Sequence, residues 1–413
     1  PLVNYIGSGL PSPKGLGFAS YYLDDVATDG MPDFNPAWGA AFVNAGDPLW
    51  FETLDSERSD IDGQFGMEQL LTTGKGRSGS AEGLGADGLF LDTIDTCAPN
   101  SWTGAGSSVQ SDFEWTAPGF SDFIRRLRGK YPDAILVQNR GLFFLNKDCA
   151  QFAFTTRPWI DFLLFESYRL DSTIEVSPYF GDNRFNYLPK LSAEASRADG
   201  FQILSLEYYR DDAAVPKIVD AATRVEALRE SISVAGFRSY LADRDLAEAN
   251  TLALDRAKML DNEPPVWSST LSAYGAGQGL LGLQSPRVGV RRVLATDAVG
   301  ATEAGSVYIS WDVAIDENPV DYVAYYSYGD GSLSAMAEDL PAATRIELGP
   351  ITTMGRGYAA AVCADPASGP FPFEAKIRGL TSGRTVEITV RARDRSPLAN
   401  EEANRVVLGL VVP

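Results

Sequence analysis

The chain has 413 residues, 45% of them hydrophobic and 22% charged, enough for two or three globular domains and too apolar for wholesale disorder. Its 35 basic and 55 acidic side chains leave a net charge of −20, which repels nucleic-acid phosphates and anionic lipid and suits cationic ligands such as amino sugars or Ca²⁺. It contains no histidine, which excludes Ser-His-Asp and Cys-His catalysis and His-ligated zinc, so any chemistry must rest on carboxylates, Tyr, Lys or a cofactor held without His.

The sequence begins at Pro1 without an initiator Met, which reads as a processed or truncated start, and no apolar run approaches a membrane span. Short apolar runs then recur. Leu2–Ile6, Gly88–Asp92, Ile135–Gln138, Ile160–Phe165, Ile203–Leu206 and Phe237–Leu241 have the length and continuity of strands buried on both faces. Helical patterns lie between them. Phe120, Phe123, Ile124 and Leu127 follow Pro118 at helical spacing, and Ile218, Ala222, Val225, Leu228 and Ile232 follow Pro216. Strand and helix in alternation predict an α/β fold built of βαβ units.

Several of these runs end on a polar residue: Asp92, Gln138 and Asn139, Glu166, and Glu207. A (β/α) barrel carries its reactive groups at the carboxyl ends of its strands. A doubly wound sheet does so too, but no Gly-rich phosphate fingerprint follows any strand, so a TIM-type (β/α) barrel is expected, without a bound cofactor. Cys97 and Cys149 each fall just beyond a strand end, leaving a disulfide between their loops and two buried thiols both open. Trp102, Trp115 and Trp159 read as loop packing rather than sugar-stacking rings, as do Tyr21–Tyr22 and Tyr208–Tyr209. The acidic pairs Asp24–Asp25, Asp211–Asp212 and Asp316–Glu317 lack the spacing of a calcium loop, so no metal is expected.

From Asp261 the texture changes. Residues 261–286, rich in Pro, Gly and Ser, read as a linker between a barrel at 1–260 and an all-β region at 287–413. Val307–Trp311, Val320–Tyr326, Phe373–Ile377 and Val386–Ala392 alternate with period two, as in a β-sandwich, with an insertion at 329–372.

The ordered strand-end motifs resemble glycoside hydrolase family 114, the endo-α-1,4-polygalactosaminidases. The pieces are Tyr5–Gly9 (YIGSG), Asp87–Asp95 (DGLFLDTID), Tyr131–Asn139 (YPDAILVQN), Ile160–Tyr168 (IDFLLFESY) and Leu206–Tyr208 (LEY), covering roughly residues 1–245. The resemblance implies a retaining hydrolase of an amino-sugar polysaccharide, with Asp92 as nucleophile and Glu166 as acid/base. Asp95, Gln138, Asn139, Tyr168, Glu207 and Tyr208 would shape the sugar subsite. Two departures stand out. Leu10 follows Gly9 where the family has Glu, and Leu2–Gly9 matches the family's third strand, so the first two βα units have no counterpart, Ala40–Val43 being one local candidate. The all-β region resembles a fibronectin type III domain through Trp311, Leu380–Gly383 and Val390–Ala392, although Val386 replaces the usual corner tyrosine. Such modules accompany extracellular bacterial glycosidases and surface proteins. The expected setting is therefore extracellular or at the cell surface, with a polysaccharide as partner. A catalytically inactive scaffold, self-assembling as a homo-oligomer or surface layer or binding glycan, is the alternative.

Overall fold

The computed structural model describes residues 18–24, 31–35, 39–56, 66–75, 82–98, 116–145, 155–169, 177–183, 187–209, 239–243, 246, 264–267, 288–297, 299–316, 318–329, 333, 340, 343–349 and 373–413. Leu2–Gly9, Trp102, Trp115, the helix expected after Pro216, and Cys149 lie outside them. The chain divides into two compact units, Pro1–Leu163 and Leu164–Pro413.

The first unit opens with a small hairpin, β1 (Phe34–Asn35) against β2 (Ala40–Ala41). Ala40–Val43 therefore contributes to an antiparallel pair and not to the parallel sheet. Helix α1 (Pro48–Asp55) starts where the Asp47 carboxylate accepts the Leu49 amide at 2.9 Å, a side-chain N-cap. A short helix α2 (Met67–Leu71) leads into the hairpin β3 (Thr73–Lys75) and β4 (Glu82–Leu84).

Strands β5 (Gly88–Leu91), β6 (Ile135–Asn139), β7 (Phe162–Glu166), β8 (Gln202–Tyr209) and β9 (Ser239–Asp243) form one five-stranded sheet in that order. β5 runs parallel to β6, with Leu91 opposite Gln138, and β8 runs parallel to β9. The protein is thus an α/β protein with a parallel sheet. Between β5 and β6 runs helix α3 (Ala117–Lys130), which buries Phe123, Ile124 and Leu127, with Pro118 in its first turn and Arg128 and Lys130 in its last. Basic groups there complement the negative end of the helix dipole. Arg128 also ties the helix to the sheet. It donates to the carbonyls of Trp159 (3.0 Å), Pro132 (2.9 Å) and Ala134 (2.8 Å) and pairs with Asp161 at 2.5 Å. Asp161 in turn accepts the Leu136 amide at 2.8 Å, just ahead of β7, which begins at Phe162 where the apolar run suggested Ile160.

In the second unit, a short turn of helix α4 (Phe180–Asp182) and helix α5 (Leu188–Ala195) separate β7 from β8. The remaining strands are antiparallel. β10 (Val266–Trp267) pairs with β13 (Ala314–Ile315). β11 (Val290–Leu294), β12 (Val307–Trp311) and β16 (Phe373–Ile377) make a three-stranded sheet in that order. β15 (Thr344–Gly349), β14 (Val320–Tyr328), β17 (Thr385–Asp394) and β18 (Leu408–Val411) make a four-stranded one. β10 falls inside the stretch that reads as a linker, and β15 inside the stretch that reads as an insertion.

Rings from the two sheets meet between them. Tyr322 of β14 lies 5.4 Å from Trp311 of β12 and 5.4 Å from Phe373 of β16, and Trp267 adds a fourth ring 5.9 Å from Tyr322. Val386, Ile388, Val390 and Ala392 of β17 are buried on the face that meets this core, and Thr389 and Arg391 between them are buried as well. The Tyr322 hydroxyl accepts the Ala314 amide at 2.8 Å, so this buried polar atom is satisfied.

Helix α5 is joined to the antiparallel sheets by polar groups. The Ser192 hydroxyl donates to the Ala314 carbonyl at 2.9 Å, and the Ser196 hydroxyl accepts the Val320 amide at 3.0 Å. Arg395 donates to the Ser196 carbonyl at 3.0 Å, capping the helix end, and holds Asp321 at 2.8 Å. Gln202, at the start of β8, donates to Asn318 at 2.8 Å.

Candidate functional site

Within the first unit, the ends of β5 and β6 bring four of the expected residues together. The register that sets Leu91 opposite Gln138 continues to Asp92 and Asn139, which therefore share the other face of the sheet. Asn139 Nδ2 donates to Asp92 Oδ1 at 2.9 Å, and the Thr93 amide donates to the same oxygen at 2.8 Å. Asp92 is exposed, whereas Asn139 is buried.

Asp95 sits one turn further on, in the 3-10 segment Ile94–Cys97. It accepts the Gly141 amide at 2.8 Å and pairs with Arg140 at 3.1 Å. Burial raises the Asp95 pKa above the usual aspartate value, with the Arg140 cation working against the shift. Gly141, at φ +61°, is confined by its neighbours: an added Cβ would lie 2.5 Å from Ile94 Cγ2 and 2.8 Å from Gln138 Nε2. Gln138 is fully buried, and its amide nitrogen donates to the Arg140 carbonyl at 2.8 Å. It shapes the turn from beneath. Cys97 is a buried free thiol, its pKa pushed well up by burial and by the nearby Asp95 charge, and so poorly suited to reaction.

The second unit repeats the device at the ends of β7 and β8. Glu166, half-buried, accepts a hydrogen bond from the hydroxyl of Tyr208 on the next strand. Glu207 is fully buried and accepts the Ser205 hydroxyl at 2.7 Å and the Arg169 amide at 3.0 Å. Tyr168 is also buried, packed edge-on against Phe165 at 5.2 Å and Phe180 at 5.5 Å, and its carbonyl accepts Asn183 Nδ2 at 2.8 Å. Glu207 and Tyr168 thus fix the loop after β7, while Glu166 stands at its opening.

One feature carries no signature in composition. The residue after three of the strand-end polar groups is a non-glycine in the left-handed region: Thr93 (φ +62°) after Asp92, Arg140 (φ +56°) after Asn139, and Ser167 (φ +55°) after Glu166, whereas Glu207 lies within β8 and has no such neighbour. Each costs about 1–2 kcal/mol relative to ordinary backbone, and such strain concentrates where side chains are aimed for function. Arg140, Arg169, Ser205 and Asn183 are further members of these networks that the sequence does not single out, although the run Asn139-Arg140-Gly141 carries a turn signal.

Among the described residues no group of three or more His, Cys, Asp or Glu could hold a metal ion, and no helix is long and apolar enough to cross a membrane. By class, then, this is an α/β protein with a parallel sheet that sets hydrogen-bonded carboxylates at its strand ends. No protein-family model and no curated protein matches the sequence. Among solved structures the chain is similar to the glycoside hydrolase domain of PelA from Pseudomonas aeruginosa, at 18% identity over 52% of this chain and 68% of that one, with a TM-score of 0.32. A variant of the same domain matches with the same figures.

Proposed function

We propose that the chain is a secreted glycoside hydrolase acting on an amino-sugar polysaccharide, with Asp92 and Glu166 as its reacting carboxyls. The observation that carries this reading is a shared local design: each of the two carboxylates closes a parallel strand and is held by a side chain from the next strand, Asn139 for Asp92 and Tyr208 for Glu166. Such support fixes the direction of a carboxylate, which displacement at an anomeric carbon requires. The ordered motifs of family 114 support the same pair. In a retaining mechanism Asp92 attacks the anomeric carbon while Glu166 protonates the departing oxygen, and Glu166 then takes a proton from the water that releases the sugar. The acidic surface favours ammonium-bearing polymers.

The strand order of the five-stranded sheet, which follows the chain without reversal, supports a (β/α) barrel over a doubly wound sheet. The pairing orders β11-β12-β16 and β15-β14-β17-β18 support the fibronectin type III reading of the antiparallel region. The scaffold reading draws on a different observation. Gln138, Tyr168 and Glu207 are buried; Gln138 donates to the Arg140 carbonyl in the turn that follows it and Glu207 accepts the Arg169 amide from the loop after β7, as in a site kept for structure alone.

Incubating the protein with partly deacetylated α-1,4-galactosamine polymer decides between them. Oligosaccharide release by the wild type, with losses of about 10³-fold or more in Asp92→Asn and Glu166→Gln, is the expected result. No release from the wild type leaves the scaffold, and release that survives both substitutions removes Asp92 and Glu166 as the reacting carboxyls.

A further inference from the structure

Tyr179 exposes 70% of its surface, against 48% for Phe34 and 50% for Phe90. Its backbone, by contrast, is held at every turn. The Tyr179 amide donates to the Ser177 hydroxyl at 3.2 Å, and its carbonyl accepts the Asn183 amide at 2.8 Å. The segment as a whole is fastened to the loop that follows Glu166. The Ser177 amide donates to the Arg169 carbonyl at 2.7 Å, and Asn183 Nδ2 donates to the carbonyls of Tyr168 (2.8 Å) and Ser167 (3.4 Å). The next ring, Phe180, turns inward against Tyr168, with the Arg169 guanidinium 5.7 Å from its centroid.

One aromatic of the pair therefore packs and the other is presented. Burying a large apolar side chain is worth roughly 1.5–3 kcal/mol, a gain this fold forgoes at Tyr179. A rigidly carried, outward phenol ring offers a flat apolar face with a negative quadrupole, which fits the C–H face of a pyranose and attracts a sugar ammonium. We propose that Tyr179 is a stacking platform for one pyranose ring of an amino-sugar chain, a binding subsite on the rim of the β7 loop. The inference rests on the carbohydrate reading of Glu166 and adds a residue that the strand-end motifs do not contain.

The test titrates the full-length protein with partly deacetylated α-1,4-galactosamine oligosaccharides by calorimetry, in the Glu166→Gln background so that the ligand stays intact. Tyr179→Ala is expected to weaken binding about tenfold, ~1.4 kcal/mol, with an unchanged melting temperature, while Tyr179→Phe binds as the parent does. In the active protein the same alanine variant should raise KM and leave kcat nearly unaltered. Equal binding by the parent and Tyr179→Ala overturns the platform alone. If the oligosaccharides bind through Tyr179 and the wild type cleaves none, the platform stands and the hydrolytic reading falls. Binding by neither protein removes both.

Discussion

The parallel sheet and the antiparallel sandwich both bury polar groups that hold loops, but the sheet adds carboxylates open to water at its strand ends. In the sandwich the polar groups turn inward to close loops. Asp394 accepts the amides of Ser396 (3.0 Å) and Asn400 (2.9 Å) and the Asn400 side chain (2.8 Å), and Glu402 accepts the Asn404 amide at 2.7 Å. In the parallel sheet they gather at strand ends beside left-handed residues, with Asp92 in water and Glu166 half-exposed. The sandwich uses the left-handed region too, at Ala399 (φ +50°) in the loop that Asp394 closes, so what distinguishes the parallel sheet is repetition: Thr93, Arg140 and Ser167 each follow directly on a strand-end polar group.

Substitutions in each region should separate the two roles. The largest effect is expected from Trp311→Ala. Trp311 is 1% exposed and contacts both Tyr322 and Phe373, so its removal should cost about 3–5 kcal/mol, read as a lowered urea midpoint. A smaller change of opposite sign is expected from Ser167→Gly. Glycine relieves the left-handed strain, less its own entropic cost, for a net gain of up to ~1 kcal/mol. If the strain serves to aim Glu166, turnover should fall as stability rises; a variant that is both stabler and fully active would erase the contrast between the regions.

The smallest effect is on pH dependence. Burial raises the pKa of Glu402 in the sandwich and of Asp95 beside the sheet. A carboxyl whose folded pKa exceeds its unfolded value gives stability that is fully present below the unfolded value and is lost as pH rises through the folded one. Urea midpoints taken from pH 4 to 7 should therefore carry a downward contribution from both groups. Glu402→Gln should flatten the sandwich's share and leave that of Asp95.

Continuous apolar runs made the parallel strands legible, since β5, β6, β8 and β9 overlap the stretches that their hydrophobicity marks, and period-two alternation marked β12 and β16 residue for residue. What escaped was set by partners distant in sequence. β15 carries Arg345 and Glu347 on one face and a single large apolar residue, Ile346, between them, and it pairs Arg345 with Tyr325 and Glu347 with Val323. β10 is two residues long, between Pro264–Pro265 and a run of Ser and Thr, and is defined by Ile315 and Ala314 across from it. At the site, residue types were visible but their directions were not. Gln138 and Asn139 look equivalent in sequence, yet the register turns one beneath the Gly141 turn and the other toward Asp92. Left-handed Thr, Arg and Ser leave no trace in composition.

Strand β8 bears on two places at once. Its first residue, Gln202, grips Asn318 of the sandwich, and near its other end Tyr208 holds Glu166. Those ends stand about 20 Å apart at the usual rise of a strand, and α5 braces the same strand against β13. The sandwich is consequently an abutment rather than a pendant on a tether. Cutting the chain ahead of it would strip the footing from the very rod whose far tip steadies the glutamate.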